Sequence, residues 1–302
     1  MPSAVSVKVP ATVANLGPGF DSLGVAIAMH LRIEIEPRRD SIDITLEGEG
    51  ADHLPADETN LVIRAMNMFF DQGARRPHGF AVTVRNPIPL ASGLGSSAAA
   101  VVGGLTAARA LTGRTVPQSE MIALAAAMEG HPDNLMPALL GGLVICYQAE
   151  SGLQHFRVEP SRRLVPIVAV PREGFSTVEA RQALPGEVSL EDARFTAARA
   201  ALLVAALSTG AGADVLAEAM SDRLHEPTRL RLMPETAAVH EALRAAGLPV
   251  AIAGAGPSLL VVVPRPESAT RTEQIRWICR ERNSGWRVFV SEWEPAGASS
   301  AT

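Results

Sequence analysis

The chain has 302 residues, of which 47% are hydrophobic and 20% charged, with a formal net charge of −5 at pH 7. That is apolar material for one large or two medium domains, and the acidic balance excludes broad electrostatic binding to nucleic acid or an anionic membrane surface. No stretch reaches about 18 uninterrupted apolar residues, so no membrane span is expected.

In chain order, residues 5–9 alternate before Pro10 and read as a first strand, followed by strands at 25–35 and 41–46 with polar turns between them. Residues 59–70 have helical spacing, 80–84 a strand pattern, and 98–111 the look of a small-residue helix stopped by Gly113. Thr115-x-x-Gln118, with Pro117 between, predicts a capping box heading a helix over 116–129. Pro132 opens a short helix to residue 140, and Gly141-Gly142 leads into a strand at 143–148.

The second half begins near residue 164, with a strand at 165–170 and helices at 190–207, 211–220 and 235–246. Strands at 250–253 and 259–263 flank a second glycine loop, and a helix at 274–282 precedes a last strand at 286–290. Residues 297–302 read as a frayed tail. Strand and helix mix in both halves, so the expectation is an α+β protein with two domains, residues 1–160 and 161–302.

Smaller features point to a cytoplasmic protein. Cys146 and Cys279 belong to no C-x-x-C or metal pattern and read as reduced, buried thiols. The first residues lack the basic-then-apolar layout of a secretory signal.

The most informative stretch is Pro89-Leu90-Ala91-Ser92-Gly93-Leu94-Gly95-Ser96-Ser97-Ala98-Ala99, set between a strand and a helix. A helix N-terminus leaves backbone N–H groups unpaired at the positive end of the macrodipole, and glycines let a phosphate approach them. The loop has neither the lysine of a Walker A motif nor the third glycine of a dinucleotide fingerprint. By itself it reads equally well as a turn that caps a buried helix.

Four further clusters are dense in glycine, proline and polar residues: residues 8–21, Glu129-Gly130-His131-Pro132-Asp133-Asn134, Ser176-Thr177-Val178-Glu179-Ala180-Arg181, and Gly254-Ala255-Gly256-Pro257-Ser258. Each alone is a surface turn or a helix end. Together, Asn15, Asp21, Glu129, His131, Asn134, Arg181 and Arg229 form the donor set that a kinase for an amino-acid-like alcohol needs. Carboxylate oxygen suits Mg²⁺, an arginine fork suits a substrate carboxylate, and an aspartate suits an ammonium.

In this order the motifs resemble those of the GHMP kinase superfamily, in its homoserine-kinase branch. Pro89-x-x-x-Gly93-Leu94-Gly95-Ser96-Ser97-Ala98 is similar to the superfamily's phosphate loop. Pro10-Ala11-Thr12-x-Ala14-Asn15-Leu16-Gly17-x-Gly19-Phe20-Asp21 is similar to its N-terminal motif, and Gly254-Ala255-Gly256-Pro257-Ser258 to its third. His131-Pro132-Asp133-Asn134, Ser176-Thr177-x-x-x-Arg181 and Glu226-Pro227-x-Arg229 narrow the likeness to the homoserine branch. Two departures stand out: Glu129 lies only two residues before His131, and Ser258 stands where threonine is common.

The resemblance implies a two-domain GHMP kinase fold. Its N-terminal domain is like the second domain of ribosomal protein S5, its C-terminal domain is ferredoxin-like, and the active site lies between them. It implies that residues 89–99 wrap the phosphates of ATP, that Ser97 and Glu129 hold Mg²⁺, and that Asn60 lies near the adenine. Asn15, Asp21, His131, Asn134, Thr177, Arg181 and Arg229 would surround L-homoserine. On charge grounds Arg181 and Arg229 take the α-carboxylate and Asp21 the α-ammonium, while Asn15, His131 and Asn134 line the side nearest the hydroxyl.

Mevalonate kinase and galactokinase are similar in placing an aspartate where this chain has Asn134. A neutral amide accepts no proton. The expectation is therefore in-line transfer to the terminal hydroxyl without a side-chain base, feeding threonine biosynthesis, with Asn134, His131 and Asn15 as catalytic residues and Asp133 as a structural one. A mevalonate- or sugar-type kinase is the alternative, and a homodimer stays open.

Overall fold

In the computed structural model, which describes residues 4–38, 41–74, 76–282 and 285–301, period-two alternation builds the first sheet. Strand β1 (Val5–Asn15) turns Val5, Val7 and Val9 inward and Ser6 and Lys8 outward. Its antiparallel neighbour β2 (Gly19–Arg38) does the same with Leu31, Ile33 and Ile35 against Arg32 and Glu34. Next come β3 (Ile42–Gly48), helix α1 (Leu61–Phe70) and β4 (Gly79–Asn86). Strands β3 and β4 run parallel on either side of the α1 connection, and β4 pairs antiparallel with β2.

Helices α2 (Ser96–Thr112), α3 (Gln118–Met128) and α4 (Pro132–Leu140) come after β4, then the hairpin β5 (Leu143–Ala149) and β6 (Gly152–Val158), whose first strand pairs with β2. Helix α2 is buried almost all round and fills the core between sheet and α1.

The second half contributes β7 (Leu164–Val170), α5 (Thr177–Gln182), α6 (Leu190–Thr209), α7 (Ala213–Ala219), α8 (Glu226–Leu232) and α9 (Pro234–Ala245). It continues with β8 (Val250–Ile252), β9 (Leu259–Pro264), α10 (Ser268–Arg282), β10 (Arg287–Val290) and β11 (Ser299–Ala301). An antiparallel sheet of order β10-β7-β9-β8 results. Strand β7 is apolar throughout because both its faces are covered. Val165 and Ile167 pack with α9 and α10, while Leu164, Val168 and Val170 join the core shared with the first sheet.

Several expectations are corrected. Strand β1 continues past Pro10 to Asn15, because the ladder shifts register between Pro10 and Ala11 and a bulge tolerates the missing N–H. The capping box at Thr115 does not form: α3 starts at Gln118 rather than at residue 116, with Pro117 as its N-cap and no side-chain cap. Strand β6 and the short helix α8 carried no clear periodicity and were not expected, whereas α5 begins at the Ser176–Arg181 cluster, one reading of which was a helix end.

The C-terminal segment is not frayed through residue 301. Residues 299–301 pair with Ser6–Lys8, Ala28 N–H donates to Glu292 O, Glu294 N–H to Ala26 O, and Ala298 N–H to Ala138 O. The exposed edge of β1 and the C-terminal turn of α4 offer backbone groups that need partners, and the tail supplies them. Both cysteines are free and buried, as expected.

Gly104 of α2 faces α1 so closely that a Cβ there would lie 2.3 Å from Val62 O. Alanine would gain about 1 kcal/mol of helix propensity but cost about 1–3 kcal/mol by overpacking. Gly104→Ala is therefore expected to lower the urea-unfolding midpoint, with a net loss of up to about 2 kcal/mol. A raised midpoint would contradict the fixed α1–α2 separation.

Candidate functional site

Strand β4 ends at Asn86, whose side chain shapes the loop leading into α2. Its Oδ1 accepts from Ile88 N–H at 3.0 Å, and its Nδ2 lies 3.2 Å from Glu49 O, Ile88 O and Ser96 Oγ. Ser92 Oγ donates to Pro89 O at 2.7 Å, which tightens the loop. Helix α2 then starts after Gly95 (φ 70°) with no side-chain cap. Ala99 N–H returns to Gly95 O, whereas those of Ser96, Ser97 and Ala98 meet no protein acceptor among the described residues. The positive end of a buried helix thus opens into a cavity of about 480 Å³.

A fully buried threonine joins this loop to two other motifs. Thr12 N–H donates to Leu94 O at 3.1 Å, and Thr12 Oγ1 donates to Asn134 Oδ1 at 2.9 Å. Any Cβ at residue 95 would sit 2.0 Å from Thr12 Oγ1, so the junction requires glycine on steric as well as conformational grounds. Asn134 lies in the first turn of α4, which His131 precedes and Pro132 opens. Across the cavity mouth Ser97 Oγ donates to Glu129 Oε1 at 2.7 Å. Glu129 also raises the His131 imidazole above its ordinary value, against partial burial and the nearby Arg181 charge.

The turn between β1 and β2 holds Asn15, Leu16 and Asp21 at φ 66°, 54° and 53°, a cost borne where geometry is imposed by surroundings. Asn15 Oδ1 accepts from Asp21 N–H at 3.0 Å and its Nδ2 donates to Gly254 O at 2.8 Å. Arg229 Nη1 donates to the same carbonyl at 2.9 Å, and lies 3.0 Å from His225 Nδ1. Arg229 is only 3% exposed, and its Nε has no partner. Backbone bonds from Gly254 to Ala14, Ser258 to Ser92 and Phe175 to Ala91 draw the third loop and the approach to α5 onto the phosphate loop.

The cavity wall gathers Asn15, Asp21, Asn60, residues 89–97, Glu129, His131, Asn134, Thr177, Arg181 and Arg229. Ala98 and Ala99 are not on it, their methyls being fully buried. Asn60 spends its amide on structure: Oδ1 caps α1 at Val62 N–H and Nδ2 donates to Pro55 O. Asp21 and Arg181, expected at opposite ends of a zwitterion, pair with each other at 2.7 Å. Thr12, Asn86 and His225 were missed. Asn86 stands before a proline, an ordinary turn signal, whereas nothing local marks Thr12.

Asp133, beside Asn134, is 2% exposed with Oδ1 unpartnered. Burial, and then the Asp21 charge, push its carboxyl up to about 7. Burial pushes the Cys146 thiol up to about 12, with a further push from Asp133.

The chain is similar to known proteins in sequence and in fold. The description "GHMP kinases N terminal domain" matches residues 60–142, and "GHMP kinases C terminal" matches residues 203–275. A homoserine kinase of Streptomyces avermitilis is 38% identical over 300 residues, covering 98% of this chain and 95% of that protein. One of Mycolicibacterium smegmatis is 43% identical over 271 residues, covering 85% and 84%. The crystal structure of homoserine kinase from Cytophaga hutchinsonii superposes with a TM-score of 0.86 at 28% identity, covering 100% of this chain and 98% of that one.

The Asp133 carboxyl yields a pH prediction. A folded value above the ordinary 3.8 means the folded state holds a proton that the unfolded state releases, so stability falls as pH rises from about 4 to about 7. Asp133→Asn is expected to raise the thermal midpoint above pH 7, with the gain vanishing toward pH 4. A gain of equal size at both ends would show that the carboxyl carries no such penalty.

Proposed function

The chain belongs to the GHMP kinase family, among its homoserine kinases, and on that premise we propose that it transfers the γ-phosphoryl group of ATP to the terminal hydroxyl of L-homoserine. The two-domain α+β GHMP kinase fold is present, and we place the domain boundary at residues 160 and 161, between β6 and β7. One observation carries the reading. A buried guanidinium with an unpartnered Nε and an open helix N-terminus line the same cavity. The first suits a carboxylate and the second a polyphosphate.

The amides of Ser96 and Ser97 receive the phosphates, and Leu46, Leu54, Leu61, Val84 and Leu90 give the base an apolar wall beside Asn60. Ser97 Oγ and Glu129 Oε1, already 2.7 Å apart, are hard oxygen donors that fit Mg²⁺ alongside phosphate oxygens and water. When bound, that ion supplies charge neutralisation on the transferring phosphates.

Homoserine lies with its carboxylate toward Arg229 and Arg181 and its ammonium toward Asp21. The Asp21 carboxylate can accept from Arg181 and an ammonium together. Mevalonate shares the carboxylate but not the ammonium, so Asp21 favours the amino acid. Asn15 and His131 line the hydroxyl side, and Thr177 completes the enclosure.

Asn134, held at Oδ1 by Thr12, orients the hydroxyl and takes no proton. The transition state is loose, so alignment and electrostatics do most of the work and the proton leaves to the phosphate or to water. The reaction belongs to threonine biosynthesis. Among the described residues no helix is long and apolar enough to cross a membrane.

A phosphorylation assay with ATP, comparing L-homoserine, L-serine, mevalonate and galactose, tests the reading: turnover is expected with homoserine, and its absence would overturn the function. In the same assay Asn134→Ala is expected to lower kcat about 100-fold, and Asp133→Asn by less than about tenfold. A far larger loss at Asp133 would assign it the proton.

A further inference from the structure

The contacts that fix the direction of Arg229 also fix the carboxylate end of the site. Its Nη1 is fully engaged, by Gly254 O at 2.9 Å and by His225 Nδ1 at 3.0 Å. A guanidinium only donates, so His225 Nδ1 accepts and carries no hydrogen. On the other side of the ring His225 Nε2 lies 2.8 Å from Gly17 O, which only accepts, so Nε2 carries the hydrogen. Two single-role partners therefore impose one neutral tautomer on a fully buried histidine.

The ring itself is clamped. Phe20 stacks on it with centroids 5.2 Å apart, and the Asp222 carboxylate accepts from His225 N–H at 2.8 Å and Glu226 N–H at 2.9 Å, capping α8. Gly17 belongs to the same turn as Asp21, so the ring ties the residue meant for the ammonium to the one meant for the carboxylate.

We propose that His225 is a positioning residue for substrate charge recognition. By occupying Nη1 it leaves Nη2 and the buried, unpartnered Nε of this cavity-lining arginine as the fork for a planar carboxylate to take side-on. This inference rests on the assignment of Arg229 to the homoserine carboxylate. It differs from a merely structural role because it predicts a loss that depends on the substrate's carboxylate.

The test compares kcat/KM for L-homoserine and for homoserinol, in which CH₂OH replaces the carboxylate, in the wild type, Arg229→Gln, His225→Gln and His225→Asn. Glutamine reaches Gly17 O but offers no acceptor at the Nδ1 position. Asparagine offers that acceptor without reaching Gly17.

His225→Gln is expected to lower kcat/KM for homoserine about tenfold, through KM, with homoserinol and the KM for ATP changed less than about threefold. His225→Asn is expected to keep the preference for homoserine within about threefold of wild type. Equal losses on both substrates, or equal losses in both His225 variants, would overturn the positioning role. If Arg229→Gln abolishes the preference while both His225 variants keep it, His225 is dispensable and the carboxylate assignment stands. A wild type without the preference defeats that assignment and this inference with it. Independently of folding in the variants, ¹⁵N NMR of histidine-labelled wild type is expected to show His225 neutral with its hydrogen on Nε2, and a hydrogen on Nδ1 at neutral pH would overturn the proposal.

Discussion

The Thr12 hydroxyl is the point at which three separate parts of the chain are held in one place. Its backbone is bound to the phosphate loop at Leu94, its side chain to Asn134 at the head of α4, and its bulk forbids any side chain at residue 95. With the roles proposed above, a phosphate held by the α2 N-terminus and a hydroxyl oriented by Asn134 would share a common reference. In a reaction with no side-chain base, relative position is the main thing a protein can supply. The bracing continues outward, since the C-terminal tail closes the far end of the α4 helix on which Asn134 stands.

Electrostatics are arranged in the same economical way. The chain is acidic overall, yet a buried arginine faces the cavity and is kept charged by its permanent basicity despite the cost of burial. Around it, burial pushes Asp133 up to about 7 and Glu226 up to about 8. Glu226 is stabilised by Ile252 N–H at 2.6 Å, whereas Asp133 Oδ1 has no such partner. Helix α8 matters for this reason: Asp222 caps it, His225 and Arg229 stand four residues apart on it, and Glu226 anchors it to β8.

Local chemistry in the sequence revealed much of this. Glycines, serines and a neighbouring small-residue run left a phosphate loop and a capping turn equally open until the resemblance of the surrounding motifs favoured the first, and alternation disclosed most strands. The resemblance grouped Asn15, Asp21, Asn134, Arg181 and Arg229, and all five line one cavity. Other features depend on partners distant in the chain and so left no local trace. Thr12 contacts a residue 122 positions away, and His225 contacts a carbonyl 208 positions away. The C-terminal residues looked frayed because their composition is small and polar, while their order comes from an edge strand at the opposite end of the chain. Asn60 shows the converse, a residue that lines the cavity but whose amide is committed to a helix cap.

The central claim is that alignment through the Thr12 junction, rather than proton abstraction, drives the transfer. The most direct measurement is kcat for homoserine phosphorylation in Thr12→Val, which keeps the shape and removes the hydroxyl, beside Thr12→Ser, which retains it. Alignment through the hydroxyl predicts a fall of about 100-fold in the valine variant and recovery to within about tenfold in the serine variant. A valine variant that folds and turns over at the wild-type rate would contradict it.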